Sequence, residues 1–136
     1  MSTPGLFVPQ PEGLSLAFHH AAIEGGRLHV QRCSDCGRFR HPPRVHCPEC
    51  FSPTWTFEPS TERGTVYSYV VSHRSFDPAW VERIPFVTLA VALDEGPRVI
   101  AALERGGADV ALGTPVAVRI EVQSPDFTFL WATPAD

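Results

Sequence analysis

The sequence predicts a mainly β protein in which an N-terminal short helix and a metal-binding ribbon precede a five-stranded barrel. Three observations support this class. Four cysteines in two Cys-x-x-Cys pairs lie within 18 residues, a spacing that suits a small metal-pinned ribbon. The 14 prolines and 10 glycines leave little room for long helices. After residue 63, short apolar segments alternate with turn signals, as strands do.

Composition bounds the functions that the chain can have. Its 136 residues, 43% of them apolar, suffice for one domain or for two small modules in one body. The 11 basic residues are all arginine and face 15 acids, a net charge of −4 that disfavours a nucleic-acid binder. We expect no membrane span, because no run approaches roughly 18 apolar residues. Without a signal peptide, we expect a cytoplasmic, reducing location.

Residues 1–12 contain three prolines and are predicted as a flexible arm. The helix is predicted from Gly13 to Glu24, with Ser15 as its N-cap and Gly25-Gly26 as its end. A helix this short has to dock, either on its own ribbon or on a partner surface. We predict that residues 13–58 form the helix and ribbon and that residues 59–136 form the barrel.

The ribbon is predicted around the cysteines. A strand from Arg27 to Gln31 leads into the first pair, and Arg38 to Arg40 returns. The predicted metal ligands are Cys33, Cys36, Cys47 and Cys50. Four thiolates close the shell of one zinc ion and leave no position for water or substrate, so we expect a structural zinc, one per chain. Iron in the same cage and two disulfides are the alternatives, and His41 and His46 are expected to be loop histidines.

The barrel is predicted from five segments and their turns. The strands are expected over Gly64 to Ser75, Pro85 to Leu93, Arg98 to Glu104, Pro115 to Gln123, and Asp126 to Ala132. The turns are expected at Asp94 to Pro97, at Gly106-Gly107, at Gly113 to Pro115 and at Ser124-Pro125. Val116, Val118, Ile120 and Val122 share one side of their strand. Strand number and length favour an OB-fold, with an SH3-like barrel as the alternative.

No self-sufficient active site is visible. The sequence lacks a G-x-S-x-G elbow, a Walker loop and a G-x-G-x-x-G motif. Residues 27–44 hold five arginines against one aspartate, and such a basic patch can hold phosphates. Charge and position mark four candidate contacts for an acyl-CoA or a partner: Arg44, His73, Arg74 and Arg98. The alternative function is a nucleic-acid-binding ribbon and OB module, in which Tyr67 and Tyr69 would stack on bases.

The sequence also resembles a known family from about Leu14 to Val122. The resembling segments are Gly25 to Arg38, His41 to Cys50, Arg63 to Tyr69, His73-Arg74, Pro85-Phe86, and Leu93 to Arg98. This family joins a rubredoxin-like zinc ribbon to an acyl-CoA-associated OB-fold. One departure is Phe51-Ser52, which stands where members commonly have a glycine after the last cysteine.

The resemblance implies an accessory subunit that is not an enzyme on its own. Members are similar to small partners of thiolases and acyltransferases. This chain looks most like the domain that partners a lipid-transfer-protein-like thiolase homologue, a retro-aldolase of steroid side chains. In that case the partner supplies the catalytic residues. This chain stabilises the partner and helps form its acyl-CoA tunnel, with a CoA thioester at or near the interface. By symmetry we expect a heterotetramer of two plus two chains.

Overall fold

The computed structural model describes residues 8–105 and 110–135 of the chain. In chain order its elements are α1 (Gly13–Gly25), β1 (His29–Cys33), β2 (Phe39–Arg40), β3 (Trp55–Pro59), β4 (Arg63–Ser72), α2 (Pro78–Val81), β5 (Phe86–Leu93), β6 (Arg98–Leu103), β7 (Pro115–Ser124) and β8 (Phe127–Pro134). Residues 1–7 of the predicted arm, the predicted Gly106-Gly107 turn and Asp136 lie outside the described residues. No helix within the described ranges is long and apolar enough to cross a membrane.

Helix α1 begins and ends where the sequence predicted, to within one residue, but its N-cap is a different residue. Gly26 adopts the left-handed conformation (φ 73°), and its N–H donates to the carbonyl of Ala22 at 2.8 Å, which is a common way for a helix to end. The extended N-cap residue is Glu12, which makes no side-chain capping bond. The prediction of Ser15 as N-cap is therefore wrong, because the backbone is already helical from Gly13 and Ser15 lies inside the first turn.

The ribbon is a three-stranded antiparallel sheet in the order β2-β1-β3. The central strand β1 pairs Gln31 with Arg40 of β2 and Cys33 with Trp55 of β3. The third strand, Trp55–Pro59, was not predicted. Its side chains are half-buried or exposed, so it lacks the alternation of a strand that covers a core. The aromatic residues Trp55 and Phe57 were the sequence signal that could have indicated this strand.

The barrel is closed, with the strand order β4-β5-β6-β8-β7 and with β7 returning to β4. Neighbouring strands are antiparallel except β6 and β8, which pair in parallel through Ala102 and Trp131. The predicted barrel of five strands is therefore confirmed. At Gly64 a Cβ atom would overlap the carbonyl oxygen of Ala92, which explains why only glycine fits where β4 approaches β5.

The first barrel strand ends earlier than predicted, at Ser72 instead of Ser75. The hydroxyl of Ser75 accepts the N–H of Asp77 at 3.1 Å, and the Asp77 carboxylate accepts the N–H of Ala79 at 2.9 Å. These local bonds compete with strand pairing and begin the short helix α2, which was not predicted. Its Trp80 lies against Phe86 and stacks on Trp131, with ring centroids 5.1 and 6.1 Å away.

One apolar core runs through the barrel and into the ribbon. Leu89 and Val91 of β5 are fully buried, and Leu28 and Val30 beside the ribbon belong to the same cluster. The predicted alternation of β7 holds for the two buried residues Val116 and Val118, whereas Val122 is 53% exposed. Val122 is the last residue paired before a register shift near the end of β7.

Candidate metal centre and apolar cavity

The four cysteines converge from two knuckles on one point at the end of the ribbon. Their sulfur atoms all lie within 4.8 Å of one another. The Sγ atoms of Cys33 and Cys50 are 3.6 Å apart, as are those of Cys36 and Cys47. A disulfide requires about 2.05 Å, so none is formed. Ligands at about 2.3 Å from a tetrahedral zinc ion are separated by distances of this size, and the cluster therefore fits one such ion.

Each knuckle closes through a residue in the left-handed region. Gly37 follows Cys36 with φ 78° and donates its N–H to the carbonyl of Cys33 at 3.0 Å. Phe51 follows Cys50 with φ 64° and donates to the carbonyl of Cys47 at 2.8 Å. The departure noted in the sequence therefore leaves the knuckle intact. A phenylalanine there carries the steric strain that a glycine avoids.

Backbone N–H groups lower the pKa of two of the thiols, Cys33 and Cys47, whereas the pKa of Cys50 is raised. The N–H of Cys36 points at the Sγ of Cys33 at 3.5 Å, and this bond is the main cause that lowers the pKa of Cys33 to about 6. At Cys50 an N–H from Ser52 lowers the pKa, but burial and the neighbouring thiols outweigh it and raise the pKa to about 12. A central cation removes this difference between the thiols, because metal binding requires all four of them to be deprotonated.

Polar side chains hold the two knuckles and the loop between them. The hydroxyl of Ser52 donates to the carboxylate of Asp35, which ties the second knuckle to the first. The Gln31 side chain accepts the Arg44 N–H at 2.7 Å and donates to the Arg44 carbonyl at 2.9 Å. Arg40 donates to that same carbonyl at 2.8 Å. His46 is exposed and, like His41, is not part of the sulfur cluster.

The four basic candidate contacts are not brought together. All four are exposed. The guanidinium of Arg98 lies 3.7 Å from the centroid of the Tyr67 ring, and that of Arg74 lies 5.6 Å from the Phe76 ring. His73 follows the far end of β4, about 20 Å from Tyr67 at about 3.3 Å per residue. Arg44 belongs to the ribbon loop. No hydrogen bond, ion pair or ring contact among the described residues joins them into one site.

The junction between ribbon and barrel depends on two carboxylates. Glu62 accepts the N–H of Leu28 at 3.0 Å and lies 3.3 Å from the guanidinium of Arg27. Glu95, in the turn between β5 and β6, accepts the Ser60 hydroxyl at 3.0 Å and the Thr61 N–H at 2.7 Å. The sequence suggested a solvated carboxylate at Glu95, but its partners lie more than 30 residues away and give no local signal.

Helix α1 is tied to the last barrel strand by two histidines. Nδ1 of His19 accepts the backbone N–H of Thr128 at 3.0 Å and the Thr128 hydroxyl at 2.8 Å. His20 lies 2.7 Å from the carboxylate of Asp126. Burial, with a smaller contribution from His20, lowers the pKa of His19. His19 is therefore neutral near pH 7, with its proton on Nε2, because an acceptor Nδ1 carries none.

A cavity of about 640 Å³ lies between α1, the ribbon loop and the outer face of the barrel. It is lined by Ser15, Phe18, His19, His41, Pro42, Pro43, Ser75, Trp80, Phe86, Val87, Thr88, Ile100, Ala101, Ala102, Phe127, Thr128, Phe129 and Leu130. Sequence reasoning missed this cavity, because its walls come from segments up to about a hundred residues apart. The aromatic residues of the last strand could be read from the sequence, but the segments that pack against them could not.

Comparison with known proteins shows relatives of both parts. The rubredoxin-like zinc ribbon domain of ChsH2 matches residues 21–56, and the C-terminal OB-fold domain of ChsH2 matches residues 58–121. A Thermomonospora curvata protein named probable enoyl-CoA hydratase alpha subunit is 36% identical over 120 residues, which cover 88% of this chain and 37% of that protein. The Mycobacterium tuberculosis 3-oxo-4,17-pregnadiene-20-carboxyl-CoA hydratase alpha subunit is 35% identical over 119 residues, covering 85% and 36%. The chain thus spans about a third of these curated relatives.

Solved structures agree with this assignment. A chain of the Ltp2-ChsH2(DUF35) aldolase is 33% identical with a TM-score of 0.81, and the match covers 95% of this chain and all of that one. A DUF35-family protein from Sulfolobus solfataricus shares the fold, at 18% identity and a TM-score of 0.59, over 90% of this chain and 87% of that one. The resemblance noted in the sequence is confirmed, as is a four-cysteine ribbon for one zinc ion. The chain belongs to the ChsH2 family and carries both its rubredoxin-like zinc ribbon and its C-terminal OB-fold domain.

Proposed function

We propose that this chain is a non-catalytic accessory subunit that binds and stabilises a lipid-transfer-protein-like thiolase homologue of the Ltp2 kind. The observation that carries the proposal is the match to the ChsH2 chain of the Ltp2-ChsH2 aldolase, which extends over that whole chain with a TM-score of 0.81. The partner supplies the catalytic residues for retro-aldol cleavage of a CoA thioester. A thiolase partner is the second possibility within this class.

The barrel offers a suitable surface for such a partner. Tyr67 and Val70 of β4 are exposed by 51% and 61%, and Arg98 lies over the Tyr67 ring. We call these three residues the Tyr67 surface. Exposed apolar side chains grouped in this way mark interaction sites, and tyrosine and arginine are enriched among residues that dominate binding energy. We therefore place the partner on the Tyr67 surface.

The remaining basic candidates suit the CoA part of the substrate. Arg44, His73 and Arg74 are exposed and form no ion pair with a carboxylate of the described residues. Guanidinium groups bind phosphate through paired hydrogen bonds. We propose that the CoA thioester lies at or near the interface, where one of these groups contacts its phosphates while this chain helps to form the acyl tunnel.

Coexpression with an Ltp2-type aldolase tests the proposal. We expect one complex with the mass of two plus two chains, measured by size-exclusion chromatography with light scattering. Tyr67→Glu places a charge in the apolar interface and is expected to weaken the complex at least tenfold. Val45→Glu is the matched control, because Val45 is 60% exposed on the ribbon and lies outside the Tyr67 surface. Separate elution of two proteins, with the aldolase fully active alone, would contradict the proposal.

The Tyr67–Arg98 pair also favours one second candidate, a single-strand nucleic-acid-binding module. Bases stack on exposed tyrosines and on guanidinium planes of OB-folds. Against it, residues 45–136 hold six arginines and twelve acids, which repel a phosphate backbone. Salt-dependent binding of oligo(dT) that Tyr67→Ala abolishes would support this candidate over the accessory subunit.

A further inference from the structure

We infer that the cavity between α1, the ribbon loop and the barrel binds a neutral, predominantly apolar small molecule that carries one hydroxyl or carbonyl group. This site belongs to the chain itself. It goes beyond the proposed function, because neither the partner nor the Tyr67 surface is part of it. The size of the cavity, the arrangement of its polar groups and its lack of charge each support the inference.

The cavity has the size and the walls of a small-molecule site. Its volume of about 640 Å³ falls within the range of roughly 300–1,000 Å³ found for ligand pockets. The cavity is a cleft open to solvent, and three separate elements line it: α1 contributes Phe18, the ribbon loop contributes Pro42 and Pro43, and the barrel contributes Phe86 and Phe129. A ligand that contacts all three would bury the apolar surface that faces them, which is the main source of binding free energy for an apolar molecule.

One imidazole offers the cavity a free hydrogen-bond donor. Nδ1 of His19 already accepts both donors of Thr128, so its Nε2 carries the proton, and this N–H makes no hydrogen bond to another described residue. His41 also lines the cavity, and its ring lies 4.9 Å from Phe18, but its Nδ1 is closed off from solvent and from the cavity. A ligand hydroxyl or carbonyl oxygen can accept the His19 N–H.

The site carries no formal charge. Among the residues that line it there is no arginine, lysine, aspartate or glutamate. Burial lowers the pKa of both His19 and His41, so their rings are neutral near pH 7. An ionised carboxylate or phosphate would lose its hydration without gaining a cation in return. A neutral ligand has no such cost.

A peptide segment fits the cavity less well than a small molecule does. Each peptide residue brings a backbone N–H and C=O that need partners once they are buried. The lining provides two imidazoles and the hydroxyls of Ser15, Ser75, Thr88 and Thr128, of which Thr128 already serves His19. These few groups satisfy one or two ligand oxygens. They do not satisfy the backbone of an extended chain.

Titration of the full chain without any partner tests the inference. The probes are progesterone, a neutral fused-ring ketone, 1-decanol, a neutral linear alcohol, and decanoate, its ionised counterpart. Amide NMR shifts and tryptophan fluorescence report binding, since Trp80 lines the cavity. We expect saturable binding of a neutral probe, at least tenfold tighter than decanoate. Preference for progesterone identifies a fused-ring ligand, and preference for decanol identifies a linear chain.

Two variants locate the binding. Ile100→Glu puts a charge on the rim of the cavity, where the side chain is 65% exposed and folding does not depend on it. Leu112→Glu is the matched control at 67% exposure, outside the cavity lining. We expect the first to weaken binding at least tenfold and the second to leave it unchanged.

Three results would overturn the inference: no saturable binding of either neutral probe, equal binding of decanoate, or equal effects of the two glutamate variants. Because no partner is present, failure here leaves the accessory-subunit proposal standing. Failure of the complex to form with an Ltp2-type aldolase equally leaves this site standing.

Discussion

The ribbon and the barrel reach stability by different routes. The ribbon sheet has strands of five, two and five residues, and two of its fully buried side chains, Cys33 and Cys47, are metal ligands. The barrel closes five strands of six to ten residues around valine and leucine. A small sheet buries too little apolar area to offset its lost conformational entropy. The fold of the ribbon therefore depends on the metal, whereas the fold of the barrel depends on packing.

The ribbon and the barrel nevertheless meet at a junction that has both apolar and polar contacts. Leu28 and Val30 belong to the same cluster as the barrel core, and Glu62 and Glu95 bridge the junction by hydrogen bonds. We therefore expect a perturbation of the ribbon or of the barrel to destabilise that part first, and the other part only through the junction. Three perturbations test this, in order of decreasing effect.

Loss of the metal is expected to have the largest effect. Structural zinc in small ribbons contributes apparent binding free energies of about 10–16 kcal/mol, which is as large as the stability of many domains. Cys47→Ser, or a strong chelator, should unfold the ribbon while barrel amides keep their NMR dispersion. Elemental analysis should find about one zinc per chain.

The control for this prediction is Ser34→Ala in the other knuckle, since Ser34 is exposed and offers no metal ligand. It should retain the zinc and the ribbon signals. A purified chain without bound metal, or a Cys47→Ser ribbon that stays folded, would contradict the prediction.

Removing core volume from the barrel is expected to have the next largest effect. Leu89 is fully buried at the centre of β5, and truncation of such a leucine costs about 2–5 kcal/mol through lost burial and the cavity left behind. Leu89→Ala should lower the denaturant midpoint of the barrel while the zinc content stays unchanged. Val70→Ala on the neighbouring strand, at 61% exposure, should change stability by less than about 0.5 kcal/mol. Equal losses of stability in both variants would show that packing in the barrel core does not stabilise the barrel.

Relief of backbone strain in the ribbon is expected to have the smallest effect. Phe51 is 76% exposed and adopts φ 64°, a conformation that costs a non-glycine residue about 1–2 kcal/mol. Phe51→Gly loses little packing and should stabilise the zinc-loaded ribbon by about 0.5–1 kcal/mol, after the greater entropy of glycine in the unfolded chain is included. Competition with a chelator and thermal melting measure this gain in stability.

Glu62 provides the comparison for this change. It has a similar φ of 62°, but its carboxylate accepts the Leu28 N–H and pairs with Arg27. Glu62→Gly should therefore destabilise the protein although it relieves the same kind of strain. A stabilising Glu62→Gly would show that the junction contacts contribute little.

Local patterns determined most of the architecture in advance. The spacing of Cys33, Cys36, Cys47 and Cys50 predicted the metal centre, because all four ligands lie within 18 residues and two tight turns suffice to bring them together. Period-two alternation and turn residues located the five barrel strands, with errors at their ends. The Ser15 cap was wrong, and β3 and α2 were missed, because β3 shows no alternation of buried residues and α2 is only four residues long.

What the tertiary structure alone decided depends on residues far apart in the chain. His19 meets Thr128 across 109 positions, Ser60 and Thr61 meet Glu95, and the cavity joins a helix, a loop and a barrel face. Periodicity records which side of a strand is apolar, but not which distant surface will cover it. That information comes from closing the barrel and seating α1 across β8. For this protein the sequence therefore determined the metal centre and the strands, and the packing of one part on another decided the junction and the cavity.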